Sequence, residues 1–127
     1  MRAYGYAAGI AFQIIDDVLD IVGSPEEVGK TLGRDLTLGK TTLPTIHCLA
    51  HAGALTATAL RRSLTNGRTC DRERLAEWLA ETESIAYAIT TARRFITEAL
   101  THLDPLPAGD AKRSLASLAG FILDRHF

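Results

Sequence analysis

Residues 3 to 22, wound as a helix, are apolar nearly all the way round; the exceptions are Gln13 and the aspartates Asp16, Asp17 and Asp20. A helix of that kind is fully buried and needs partners on most of its surface, which restricts the chain to a packed helical assembly. Left uncovered, it presents an apolar patch large enough to drive association. A chain of 127 residues buries one core, so a single domain over 1–127 is expected.

The rest of the chain supplies helical partners. Gly23-Ser24-Pro25 stops the first helix, and residues 24 to 41 read as a long loop. Thr42 is the expected cap of a short helix to about His51, with Pro44 in its first turn. Gly53 closes it, and the next helix runs from about 54 to 64, where Asn66-Gly67 breaks the pattern. Asp71 is the expected N-cap of a helix through Leu75, Trp78 and Leu79. Ile85, Ile89, Ala92, Ile96, Ala99 and Leu103 then step by four and three, the period of one helix face. Pro105 and Pro107 interrupt it, and a last helix uses Leu115, Leu118, Ala119 and Ile122. No period-two strand pattern appears. The expected class is all-α, a helical bundle.

Charge and cysteine content narrow the function classes. A net charge of −1 argues against nucleic acid or an anionic membrane surface as the main partner. Cys48 and Cys70 lack metal-ligand spacing, which suggests a reducing, cytoplasmic setting without a disulfide framework. The longest uncharged run, Ala3 to Ile15, is 13 residues. A membrane span needs about 20. Acidic residues follow that run where a secretory signal has a small-residue cleavage site.

The aspartates carry the chemistry. Asp16 and Asp20 fall on one helix face, with Asp17 about 100° round from Asp16. Like charges at i, i+4 disfavour a helix by roughly 0.2–0.5 kcal/mol. Two readings are open on spacing alone: a seat for a hard cation such as Mg²⁺, or a solvated acidic patch at a helix end. The segment Gly29-Lys30-Thr31-Leu32-Gly33-Arg34-Asp35-Leu36-Thr37-Leu38-Gly39-Lys40 favours the first. Its glycines let the main chain approach a ligand closely. Lys30 and Lys40 offer compact positive charges suited to phosphate oxygens. Together the two segments read as a metal–diphosphate site.

At this point the chain resembles a known family. Gln13 to Asp20 is similar to the second aspartate-rich motif of the trans-isoprenyl diphosphate synthases, or polyprenyl synthetases. Agreement runs through Gly5, Gly9, Phe12, Gln13, Asp16, Asp17, Asp20 and Gly23. It continues without insertion through Gly29, Lys30, Gly33, Asp35, Leu36, Gly39, Lys40, Thr42, Leu43 and Pro44. Farther on it is looser, at Ile85-Ala86-Tyr87-Ala88, Leu103, Leu106-Pro107 and Asp124-Arg125. Family members also carry an earlier aspartate-rich motif, and this chain has no second aspartate cluster. The resemblance therefore implies the C-terminal portion of such an enzyme and part of an isoprenoid-synthase-type fold.

It further implies a mechanism. An allylic diphosphate is held by Mg²⁺ between the two motifs, its carbon–oxygen bond ionises, and isopentenyl diphosphate attacks in a head-to-tail 1′-4 condensation. Proton loss then leaves a trans double bond. By family position Asp16 coordinates Mg²⁺ directly, and Asp17 and Asp20 do so directly or through water. Asp16, Asp17 and Lys30 are the implied catalytic residues. Lys30 and Lys40 pair with diphosphate oxygens, and Gln13 orients the site or meets the carbocation region. Asp35 either belongs to the substrate site or only anchors its loop through backbone amides. With one motif, the isolated 127 residues are expected to be inactive or nearly so. The alternative is a non-catalytic or complementing helical subunit of a heteromeric prenyltransferase. A homo-oligomer, or a partner chain supplying the first motif, is expected. A decayed remnant should have lost charged site residues, and none is missing from the motif.

Other motifs weigh less. Gly33 to Lys40 and Gly23 to Lys30 mimic a P-loop, but five residues intervene where that motif has four, and no strand precedes either. His47 and His51 have zinc-protease spacing, but Cys48 stands where the glutamate belongs, so they read as helix-surface histidines. Arg61-Arg62 and Arg93-Arg94 read as solvated faces.

Overall fold

A computed structural model describes residues 1–22, 42–65 and 72–124. Among the described residues the elements are all helical: α1 (Arg2–Val22), α2 (Leu43–His51), α3 (Ala54–Thr65), α4 (Arg72–Glu81), α5 (Ser84–Thr101) and α6 (Asp110–Leu123). The first three lie within two residues of their expected limits, and the other three contain the residues by which the sequence marked them. The expected loop from 24 to 41 and the Asp71 cap lie outside the described residues. No described helix is long and apolar enough to cross a membrane.

The ends follow local chemistry, with one exchange of roles. Thr42 is the N-cap of α2, but Thr45 supplies the capping side chain. The Thr42 N–H donates to Thr45 Oγ1 at 2.9 Å, and the Thr45 hydroxyl donates to the Thr42 carbonyl at 2.8 Å. Glu83 joins α4 to α5 in the left-handed region, φ 54°. A non-glycine residue accepts that conformation at some cost, here to reverse the chain in a tight link.

Two cores form. Tyr4, Ala11, Ile15 and Val18 of α1 pack with Ala88, Ala92, Ile96 and Ala99 of α5 and with Ala119 and Ile122 of α6. Alanines recurring on α1 and α5 let the two backbones approach, and this is the most extensive pairing among the described helices. The second core gathers Cys48, Leu60, Leu75 and Leu79 around Ile21 at the end of α1. Cys48 is a buried free thiol whose Sγ lies 3.6 Å from the Trp78 carbonyl.

The structure corrects the expectation that α1 is fully buried. Its Tyr4–Ala8–Ala11–Ile15–Val18 face is covered, whereas Tyr6 is 71% exposed and Phe12 45% exposed. Packing from α5 and α6 reaches one side of α1 only. Leu118, expected in the core, is likewise 53% exposed, while Ala119 and Ile122 face inward.

The Tyr4 hydroxyl donates to the Leu115 carbonyl at 2.6 Å, pinning the start of α1 to α6. Tyr4→Phe keeps the ring and removes that bond, so unfolding free energy is expected to fall by about 0.5–1.5 kcal/mol in urea titration.

The histidines of α2 are less superficial than expected. His51 is exposed, but His47 is half-buried and its Nδ1 bonds the buried Ser84 hydroxyl at 2.8 Å across to α5. Burial, and then the neighbouring His51, hold the His47 imidazole below its ordinary value. A histidine kept neutral by the fold contributes stability that is complete above its unfolded value, about 6.5. That contribution is lost as pH falls below about 6.5 towards the lower folded value. The stability difference between the chain and its His47→Gln variant, followed by denaturation at stepped pH, is therefore expected to shrink through that window.

Candidate functional site

The aspartates occupy the last two turns of α1. Asp16 is exposed, and Asp17 and Asp20 are half-buried. Asp20 Oδ2 is shut off from solvent. The last turn of α1 contains no basic residue. A helix C-terminus carries partial negative charge, so carboxylates there add to an existing negative end that a cation stabilises.

Gln13 is placed by the helix one turn before Asp17, and its Nε2 donates to Asp17 Oδ1 at 2.9 Å. That bond fixes the direction of one Asp17 oxygen. Asp16 and Asp20 share the adjoining face.

The three aspartates do not close into a cage. Among the described residues, no three histidine, cysteine, aspartate or glutamate side chains gather as a group that could hold a metal ion. The reason is geometric: successive residues on a helix diverge by about 100°, so Asp17 points away from the Asp16–Asp20 face. The donor set nevertheless fits a hard divalent cation. Mg²⁺ takes one or two protein carboxylates and fills its remaining positions with water and phosphate oxygens. Two aspartates on one face, one with an oxygen withdrawn from solvent, suit that pattern better than they suit zinc, which prefers nitrogen and sulfur. Lys30, Asp35 and Lys40 lie outside the described residues.

A feature the sequence reading missed lies towards the N-terminal half of α1. An apolar groove of about 570 Å³ runs between α1 and α6, lined by Gly5, Gly9 and Phe12 on one side and Leu118 and Phe121 on the other, with Tyr4 between them. Gly5, Gly9, Phe12 and Asp16 step by four, three and four, so groove and carboxylate lie along one stripe of α1. That stepping was visible in the sequence. The α6 wall was not, because it comes from residues more than 100 positions away. A Cβ added at Gly5 or Gly9 would meet nothing within 4 Å. Glycine inside a helix costs about 0.5–1 kcal/mol relative to alanine. Here that cost leaves the groove floor bare.

An all-α bundle with an apolar groove and a carboxylate cluster along the same helix is of the isoprenoid-synthase type. Solved structures agree. A polyprenyl synthase from Caulobacter crescentus CB15, complexed with calcium and isoprenyl diphosphate, superposes with a TM-score of 0.88 at 31% identity, covering 98% of this chain and 38% of that one.

The sequence comparisons identify the family. The Polyprenyl synthetase family matches residues 1–82, and the chain belongs to it. It is 36% identical over 130 residues to octaprenyl diphosphate synthase of Haemophilus influenzae, covering 100% of this chain and 39% of the relative. It is 34% identical over 124 residues to heptaprenyl diphosphate synthase component 2 of Bacillus subtilis, covering 98% of this chain and 35% of the relative. The chain thus spans under two-fifths of the length of these relatives. The matches give the share of length covered, and they do not establish the C-terminal placement expected from the sequence.

Proposed function

We propose that the chain forms part of a trans-prenyltransferase that joins isopentenyl diphosphate to an allylic diphosphate by head-to-tail 1′-4 condensation in the presence of Mg²⁺. The observation that carries this reading is the single stripe on α1, where Gly5, Gly9 and Phe12 line an apolar groove and Asp16 and Asp20 follow at the next turns. An allylic diphosphate has the same division, a hydrocarbon tail and a dianionic or more highly charged head. The groove gives the tail an apolar wall, and the bare floor at Gly5 and Gly9 leaves room for it.

Asp16 and Asp20 would hold Mg²⁺, with Asp17 coordinating directly or through water. When bound, Mg²⁺ supplies positive charge against which the diphosphate leaves. Gln13 keeps Asp17 oriented. Lys30 and Lys40 would neutralise diphosphate oxygens, and Asp35 would line the substrate side or anchor its loop. Charge stabilisation of this kind is strongest where water is excluded. One carboxylate cluster on a half-covered helix does not exclude it, so the isolated chain is expected to turn over little or no substrate. The same reading treats residues 1–127 as one helical unit acting in the cytoplasm as a homo-oligomer or with a partner that brings a first aspartate-rich motif.

A second reading is favoured by the relatives' names: that of Bacillus subtilis is a component 2, and a decaprenyl-diphosphate synthase of Schizosaccharomyces pombe is a subunit 1. In it, this chain is a complementing helical subunit of a heteromeric prenyltransferase.

A chimera tests the catalytic reading. This chain replaces the matching segment of the Haemophilus influenzae synthase, and product is measured with isopentenyl diphosphate, an allylic diphosphate and Mg²⁺. Polyprenyl diphosphate is the expected product. A folded chimera that makes none, with or without added partner, would overturn the reading.

A further inference from the structure

The outer side of α6 is left uncovered by the other described helices. At about 100° per residue, Ala119 and Ile122 point into the core, so Ser114, Ser117 and Phe121 lie on the opposite side, and all three are exposed. A shallow hollow of about 620 Å³ follows that side, lined by Asp110, Arg113, Ser114, Ser117, Leu118 and Phe121. Leu118 and Phe121 are also the α6 wall of the apolar groove, so hollow and groove are continuous.

We infer that this side of α6 docks a second copy of the chain, the two helices running antiparallel about a two-fold axis near Leu118. The charges argue for that occupant. Arg113 and Asp124 are both exposed and fall on one flank of α6, about three turns apart, positive near the start of the helix and negative at its end. A two-fold axis sets each flank against its own copy and reverses the direction, as in any isologous interface. Arg113 of each copy therefore meets Asp124 of the other, and the interface holds this ion pair twice. A parallel arrangement sets Arg113 against Arg113 and Asp124 against Asp124, which repel.

The uncharged residues match about the same axis. Leu118 meets its own copy, and each Phe121 falls against Ser117 of the other helix, a large side chain over a small one. An apolar centre with an ion pair at either end has the make-up of an interface, a core within a polar rim. Arg113 also pairs with Asp110 of its own helix, and the five N–H donors of a guanidinium serve both carboxylates. One consequence rests on the proposed function. If the groove holds an allylic tail, Leu118 and Phe121 of the second copy close its open edge and exclude water that a single copy admits, which strengthens charge stabilisation in the site.

Sedimentation equilibrium of the 127-residue chain, without substrate or Mg²⁺, tests the pairing. A dimer is expected in the micromolar range. Phe121→Ser, at an exposed position, should weaken it about tenfold or more. Tyr6→Ser, equally exposed but outside the groove, should leave it unchanged. Arg113→Glu and Asp124→Arg each bring like charges together and should each weaken the dimer about tenfold. Mixed in equal amounts, these two variants regain both ion pairs, so a mixed dimer as tight as the parent's should form. The assay contains no substrate, so it can fail while the chimeric synthase makes product, or succeed while the chimera makes none. A chain that stays monomeric, association unchanged by Phe121→Ser, or charge variants that pair no better mixed than alone would each overturn the inference.

Discussion

Asp16→Asn in the chimeric synthase is expected to lower prenyl transfer by about 10²–10³, the loss typical of removing one preorganised electrostatic contact to a developing anion. Asparagine keeps the shape of the side chain and removes its charge, so the effect isolates electrostatics from packing. Asp16 is exposed, and exposed substitutions generally change stability by no more than about 0.5 kcal/mol. The variant should therefore unfold at nearly the same urea concentration as the parent while losing most of its turnover. Asp20→Asn should behave similarly, because Asp20 shares the face of Asp16. Asp17→Asn should cost less, since Asp17 points off that face and one of its oxygens already accepts from Gln13. Equal turnover by the parent and Asp16→Asn, with Mg²⁺ dependence unchanged, would sink the assignment of the metal face.

Ile15→Ala is expected to produce the opposite pattern. Ile15 is 0% exposed, at the centre of the core that joins α1 to α5 and α6. Truncating such a side chain removes buried methyl groups and leaves a cavity that close-packed neighbours fill only in part, at about 2–5 kcal/mol. That is a large fraction of the stability of a small domain, roughly 5–15 kcal/mol. The urea midpoint should fall sharply with an unchanged slope, whereas Ile46→Ala, at a half-exposed position, should shift it little. An Ile15→Ala variant as stable as the parent would mean that α1 does not pack through this face.

Helix positions were legible in the sequence because they depend on neighbours along the chain. Pro44, Gly53 and the Pro105–Pro107 pair act through their own backbone geometry, and Ile96, Ala99 and Leu103 mark a face by spacing alone. The aspartates were legible for the same reason, since charge inside an apolar helix stands out without any structure. What the sequence misjudged is which side of α1 is covered. An all-round apolar helix gives periodicity no preferred face, so Tyr6 and Phe12 could not be told from Ala11 and Ile15. His47 was read as a surface residue because the buried Ser84 that holds it lies 37 positions away.

The sequence alone determined an all-α class, the limits of the first three helices and three carboxylates near the end of α1, since these follow from interactions within a few residues. Tertiary structure decided the rest. It left one side of α1 uncovered, and it brought α6 beside α1 to make the groove over Gly5, Gly9 and Phe12. Tyr4 meets Leu115 across 111 residues, and no local signal encodes such a contact. Burial of apolar surface is non-directional, so it selects which helices meet only when the whole chain packs.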